Sequence, residues 1–414
     1  PRSVVIGSIL LGIITFVDDA VFRTADAEKF SFDWQVALRL GCCGLCGLYG
    51  LIYLRKSYPT LTHGAGLLVL AFGAWAIVTV LFSVSGLYSA AAVTALWCAT
   101  LFVAAVRVEI PPRWIMGSVV TSLLVFLAAS WFVYFFIPGM GREEQDVGGG
   151  VIIVRFGGLQ HPNGLGSQAA LAFAMLLVMG IERFARWRTL VVPLTFAAAT
   201  AIMSDSRTSM LALMVLTVVA ILRLQPVAKA AFGLLFVIPF AVALFGLAAA
   251  TDVLAVNSDR IVSKLSRDGD SSELYSMNSR TVVWEFAIEK IFESPWVGCG
   301  YGCQRFIMKD NFFPTHHAHN LVLNVALGTG YIGAILLVCQ LGVLVRRFFG
   351  GHNPFSSLLI VAVLLEGFAE GQMFGPTPDA HTVLLLLAVL TQTGWSQWSA
   401  REAALSPEIA CHLN

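Results

Sequence analysis

His317-Ala318-His319-Asn320-Leu321-Val322-Leu323-Asn324-Val325-Ala326-Leu327-Gly328-Thr329-Gly330-Tyr331-Ile332-Gly333 marks the point where a long polar stretch gives way to a long apolar run. The apolar run continues over 318–345, enough to cross a bilayer, which takes ~20 residues. The stretch therefore reads as a membrane–water boundary. An imidazole placed there can move protons near neutral pH. Gly330 and Gly333 fall inside the expected helix, where small residues let a second backbone approach. A polar site tied to a packed membrane helix is the layout of an enzyme working at a bilayer surface.

The rest of the chain fits that boundary. It has 414 residues, of which 57% are hydrophobic and 12% charged, with mean hydropathy +0.79. A soluble protein of this length cannot hide so much apolar surface, so the expected fold is an all-α polytopic membrane protein. A net charge of +1 offers nothing for nucleic acid. About twelve spans are expected, at 3–17, 36–54, 64–83, 86–106, 114–138, 164–181, 189–204, 207–223, 230–250, 318–345, 356–374 and 380–395. The chain then divides into a first membrane unit at 1–250, a large loop at 251–317, and a last membrane unit with its tail at 318–414. No small-residue cleavage site follows the first apolar run, so it reads as a span and not as a signal peptide.

Charge alternates between the loops. One set carries Arg55, Lys56, Arg107, Arg113, Arg183, Arg186, Arg188, Arg223, Lys229, Arg346 and Arg347. The short loops of the other set carry Arg23, Lys29, Arg142, Arg155 and Arg207. The positive-inside rule puts the first set in the cytoplasm together with both termini, and puts 18–35, 139–163 and 251–317 outside. Most of the eight cysteines fall in spans and read as small core residues. Cys299 and Cys303 fall outside, where a disulfide is one option.

The outer segments hold the polar chemistry. Within 251–317, the run Arg280 to Phe292 has Val283, Trp284, Ala287, Ile288 and Ile291 at helical spacing, which predicts an amphipathic helix lying on the membrane or on other loops. Three arginines stand in distinctive settings: Arg155 in Val154-Arg155-Phe156-Gly157-Gly158, Arg207 in Ser206-Arg207-Thr208, and Arg280 in Ser279-Arg280-Thr281. A guanidinium beside hydroxyls at a helix N-terminus makes an anion cradle. The alternatives are salt bridges, with Asp205 for Arg207, or headgroup contacts. His161 and Asn163 precede one span and suit either a cap or a sugar contact. Glu366 and Glu370 sit one helical turn apart in another span, with Asp379 and His381 close by in sequence. Carboxylates in a span suggest function, although an internal salt bridge explains them as well.

These residues resemble a known family. His319-Asn320, nine residues, Gly330, two residues and Gly333 look like the signature of bacterial O-antigen ligases. The Ser206-Arg207-Thr208 element and the Arg280, Trp284, Pro295, Gly298-Cys299-Gly300 run fit the same pattern. The wider group includes O-antigen polymerases and protein O-oligosaccharyltransferases. The resemblance implies a GT-C membrane glycosyltransferase of the bacterial inner membrane with its active site on the periplasmic side. It implies an undecaprenyl-pyrophosphate-linked glycan as donor and a lipid A-core sugar as acceptor, both met among membrane lipids.

The residues are suited to that chemistry. A glycosyl pyrophosphate carries its own leaving group, so the protein must bind phosphate, stabilise developing charge and deprotonate a hydroxyl. Arg207, Arg280 and Arg155 suit the first two tasks without a metal or other cofactor. His319 suits the third, with His317, Asn320, His161, Asn163 and Glu370 as possible supporting groups. Direct displacement with inversion needs one base and no protein nucleophile. A proton-coupled transporter is the rival from another class. No repeat between the halves of the chain supports it.

Overall fold

The computed structural model describes residues 2–21, 34–146, 152–223, 280–310, 317–350, 354–369 and 373–391. In chain order these form α1 (Arg2–Val17), α2 (Trp34–Ile52), α3 (Leu54–Thr62), α4 (Gly66–Val80), α5 (Gly86–Glu109), α6 (Pro112–Phe136) and the single turn α7 (Pro138–Gly141). The hairpin β1 (Arg142–Asp146) and β2 (Ile152–Phe156) follows. Then come α8 (Pro162–Ile181), α9 (Trp187–Met203), α10 (Arg207–Arg223), α11 (Arg280–Glu293), α12 (Gln304–Asp310), α13 (Leu321–Gly350), α14 (Pro354–Ala369) and α15 (Ala380–Leu390).

Every expected span coincides with a helix except 230–250, which lies outside the described residues. Among the described residues, α2, α5, α6, α8 and α13 are long and apolar enough to cross a membrane singly. The pair α3–α4 would make a sixth span, bent by 98°. Side chains such as Leu51, Leu87, Phe136, Val192 and Leu222 are more than half exposed. Apolar surface on that scale belongs against lipid, so the chain is a polytopic membrane protein.

Two local expectations change. Residues 55–62 form a helix before the sharp bend, where the basic pair Arg55-Lys56 read as loop. The fold is also not purely helical. β1 pairs antiparallel with β2, setting Glu143 opposite Arg155 and Glu144 opposite Val154. The β-branched run Ile152-Ile153-Val154 favours a strand, and the opposite charges fix a cross-strand pair.

Helix α8 is the hub. Its alanine-rich sequence is apolar on all sides and almost wholly buried, as a helix enclosed by others must be. It packs on α6, α9, α10 and α14, while α1 packs on α6, α2 on α5, and α13 on α4 and α14. The ends of the bundle sort as the charge pattern anticipates. Lys56 meets Glu109 at 2.8 Å, Arg223 Nη2 donates to Phe348 O, and Arg347 Nη2 donates to Val389 O at 3.2 Å. Val21 N donates to Leu159 O at 2.8 Å, joining the segment after α1 to the loop before α8. Because Arg223 and Phe348 meet near the C-terminal ends of α10 and α13, the starts of these two helices share the other end.

The signature glycines have a specific task. Gly330 breaks α13 with φ 68° and ψ −173°, a conformation essentially confined to glycine. The loop before α12 fills the break: Tyr331 N donates to Pro295 O at 2.7 Å and Cys299 N to Leu327 O at 2.9 Å. Trp75 Nε1 holds the Thr329 carbonyl at 2.8 Å. The expected close approach of a second backbone is present, but at a break and not along a continuous helix. Helix α11 packs on α13 through Val283, Ala287 and Ile291, and leaves Val282, Ile288 and Phe292 exposed.

Candidate functional site

Arg155 anchors one part of the site. It is 3% exposed. Its Nη2 donates to Asn163 Oδ1 at 2.8 Å, to Asp205 O at 3.1 Å and to Ser204 O at 3.2 Å. The two carbonyls belong to the turn after α9, where helical carbonyls lack intrahelical donors. A cation at that negative helix end is also favoured by the dipole. Arg155 therefore clamps the turn that leads into α10.

Arg207 is the first residue of α10 and is exposed. Among the described residues its side chain makes no ion pair, so the expected alternative with Asp205 is not formed. Asp205 adopts a left-handed backbone (φ 53°). Ser206 Oγ accepts from Ser209 N at 3.4 Å and from Ser209 Oγ at 2.9 Å, the pattern of an N-cap. Arg280 is likewise the first residue of α11. Both Ser-Arg-Thr elements thus stand at helix starts. The Arg280 side chain and Glu370 lie outside the described residues.

His161 caps α8 through Nδ1, which accepts from Asn163 N at 3.3 Å, and its Nε2 lies 3.0 Å from Glu143 Oε1. Asn163 does not fill the cap, one of its two expected roles. Its side chain is taken by Arg155 instead.

His319 is held by backbone geometry. It has a left-handed φ of 47°, uncommon for a residue other than glycine. Asn320 follows as the N-cap of α13, its Oδ1 accepting from Val322 N at 3.0 Å and Leu323 N at 3.1 Å. The His317 and His319 rings lie 4.3 Å apart, and both residues are partly exposed. Asn320 thereby fixes where the peptide carrying His319 leaves the helix.

Sequence reading singled out Glu366, Asp379 and His381 but missed that Asp18 and Asp19 join them in a buried polar cluster. Asp18 and Asp19 follow α1. Asp19 Oδ2 accepts from Ala380 N at 3.1 Å, and Asp379 Oδ1 accepts from Thr382 N at 2.9 Å. The positive end of α15 thus faces two carboxylates. Burial, reinforced by Asp379, raises Asp19 to about 7. Burial acts on Asp379 in the same sense, but His381 and Thr382 outweigh it and hold that carboxyl below its ordinary range. Burial also lifts Asp18 well above the usual carboxylate range, against the pull of Arg39. An acidic pair directly after an apolar run was the available signal.

The cluster links the two parts. His381 Nδ1 lies 3.6 Å from Asp379 Oδ2, and its Nε2 lies 3.0 Å from Ser167 Oγ. The neighbouring Gly166 packs on the side chains of Ser204, Ser206 and Ser209. On the other side, Gly367 packs on Leu321 at the start of α13. Adjacent Glu366 is buried, and its charge acts on His381. These contacts, with the charge interaction between Glu366 and His381, connect the Arg207 turn to the His319 turn.

Cys299 and Cys303 are buried free thiols. Burial pushes both up and so disfavours the thiolates. Cys303 Sγ instead lies 3.2 Å from Ser83 Oγ, where the glycine-rich loop meets the corner between α4 and α5.

A sequence model described as O-antigen ligase matches residues 193–338, a stretch that contains Arg207, Arg280, His317, His319, Gly330 and Gly333. The chain is also 30% identical over 137 residues to a protein of Pseudomonas aeruginosa named O-antigen ligase. That similarity covers 32% of this chain and 34% of the relative, so it spans about a third of the curated protein's length. The matched segment carries both the Ser206-Arg207-Thr208 turn and the histidine motif, and over that segment the chain is similar to O-antigen ligases.

Proposed function

We propose that this protein is an O-antigen ligase of the bacterial inner membrane. It transfers a glycan from undecaprenyl pyrophosphate to a lipid A-core sugar on the periplasmic side. The observation that carries this reading is the arrangement at one end of the bundle. There a strained, partly exposed His319 immediately precedes the N-cap of α13, and an exposed Arg207 opens α10.

In this mechanism the pyrophosphate lies at the starts of α10 and α11, facing Arg207 and Arg280. Helix N-termini and guanidinium groups neutralise the charge that grows on the leaving group. Arg155 holds the Ser204–Asp205 turn and so places Arg207. His319 takes the proton from the acceptor hydroxyl as that oxygen attacks the anomeric carbon. The bond to pyrophosphate breaks on the opposite face, and the anomeric configuration inverts. One base and one anion cradle suffice, as in a GT-C enzyme acting without a metal. Residues 251–317 would form the periplasmic loop. That loop also contains Asp268-Gly269-Asp270, outside the described residues, so metal independence is a claim for direct test.

The test is acceptor choice. Purified protein would be given a lipid-linked glycan donor with lipid A-core, a second lipid-linked glycan, or a serine-containing peptide. The proposal expects product only with lipid A-core. Chain growth on the second lipid-linked glycan would make the protein a polymerase, and a glycopeptide would make it a protein glycosyltransferase.

A further inference from the structure

A groove of about 890 Å³ runs between α1 and α6. The small residues Gly12, Gly117 and Ser118 line it, and Val5, Ile9, Ile13 and Val125 border it as exposed apolar residues. One end is polar and cationic: Arg113 and Trp114, both exposed, lie in the first turn of α6. Ser8 also lines the groove. It is 7% exposed, and its Oγ meets no hydrogen-bond partner among the described residues. Such a buried hydroxyl is costly unless something accepts from it.

The order along the groove matches one kind of molecule. Gly7 abuts Ile110 and Gly12 abuts Ser118, so α1 and α6 run parallel, with Ser8 near the first turn of α6. A phosphate at Arg113 would place an ester carbonyl within reach of Ser8 Oγ and a hydrocarbon chain along Gly12, Gly117 and Val125. From Arg113 to Val125 the helix rises ~18 Å, comparable with the ~15 Å of one leaflet's hydrocarbon. Tryptophan at the polar end is the usual residue of a membrane interface.

The geometry points to a bound anionic phospholipid: one acyl chain in the α1–α6 groove, its ester carbonyl on Ser8, its phosphate on Arg113. This site is separate from the proposed reaction. Arg113 opens α6, whereas the hairpin, Arg155 and Arg207 lie beyond its other end. The helix between is about 36 Å long, so the phosphate here cannot be the donor's pyrophosphate. The charge complementarity is simple, because one arginine near a headgroup favours an anionic lipid over a zwitterionic one by about fivefold.

A Cβ added at Gly117 would meet nothing within 4 Å, so a larger side chain there fills the groove without disturbing the bundle. The experiment is native mass spectrometry of the full chain titrated with phosphatidylglycerol and phosphatidylcholine of identical chains. Wild type and Gly117→Ala are expected to retain one phosphatidylglycerol, about fivefold over phosphatidylcholine. Gly117→Leu is expected to lose that lipid while keeping the wild-type melting temperature in detergent alone. Arg113→Gln is expected to keep a lipid but lose the preference. Ser8→Ala is expected to weaken both lipids alike. Equal retention by Gly117→Leu, or no preference in wild type, overturns the proposal. So does a wild-type dimer that Gly117→Leu converts to monomer, which would assign the groove to a second copy.

Discussion

A Cβ on Gly330 would stand 2.1 Å from the carbonyl oxygen of Trp296, so the first glycine of the histidine signature's Gly330–Gly333 pair admits a neighbouring backbone. The φ of 68° adds strain for any other residue. Gly330→Ala should therefore cost more than the roughly 1–3 kcal/mol of the backbone conformation alone. The expected result is a melting temperature in detergent far below that of Gly117→Ala, where the added carbon meets open space. Equal melting temperatures would mean that α13 and the 295–300 loop do not interlock as described.

Arg155 supports a second prediction. Its Nη2 serves three oxygens on two segments. Arg155→Ala should destabilise the fold by about 3 kcal/mol, since hydrogen bonds to charged groups contribute roughly 1.5–3 kcal/mol each and the buried carbonyls lose their donor. Transfer should fall further than unfolding explains, because the turn presenting Arg207 loosens. Arg155→Lys keeps charge without the fork and should restore only part. Chemical denaturation and transfer rates on the same preparations check this, and a variant that is stable but inactive would instead place Arg155 on the donor.

Asp19 carries a pH prediction. Its folded-state value, about 7, lies above its ordinary 3.8 because burial and Asp379 disfavour the carboxylate. The unfolded chain thus releases this proton more easily than the folded one. Stability from this group is full below about pH 4 and is lost as pH rises through about 7. Asp19→Asn keeps an acceptor for Ala380 N without the charge. The melting temperature should fall between about pH 5 and pH 8 in wild type and fall much less in the variant. Parallel pH profiles would show that Asp19 titrates normally.

Transfer should survive EDTA, since guanidinium groups and helix N-termini are the proposed neutralising charges. Activity lost in EDTA and restored by Mg²⁺ or Mn²⁺ would transfer that role to a cation, with Asp268 and Asp270 the first residues to substitute.

How far the sequence could be read follows from the range of each signal. Apolar runs and basic loops act locally, so the positions of α1, α2, α5, α6 and α8 were legible to within a few residues. The histidine boundary was legible because His319 and Asn320 sit where polarity changes. The hairpin was missed because Arg142–Asp146 is too polar to read as a strand until Ile152–Phe156 pairs with it. Arg155 read as a phosphate ligand because its acceptors, Ser204 and Asp205, are about fifty residues away. Asp19 meets Ala380 across 361 residues, and no local pattern foretells that contact.

The central claim is that His319 deprotonates the acceptor hydroxyl. The most direct measurement is the rate of glycan transfer from lipid-linked donor to lipid A-core by purified His319→Ala, beside wild type and His317→Ala. Removing a general base costs about 10²–10⁴ in rate. The account predicts a loss of that size for His319→Ala with normal folding and membrane insertion, and a smaller loss for His317→Ala. Transfer by His319→Ala at close to the wild-type rate would contradict it.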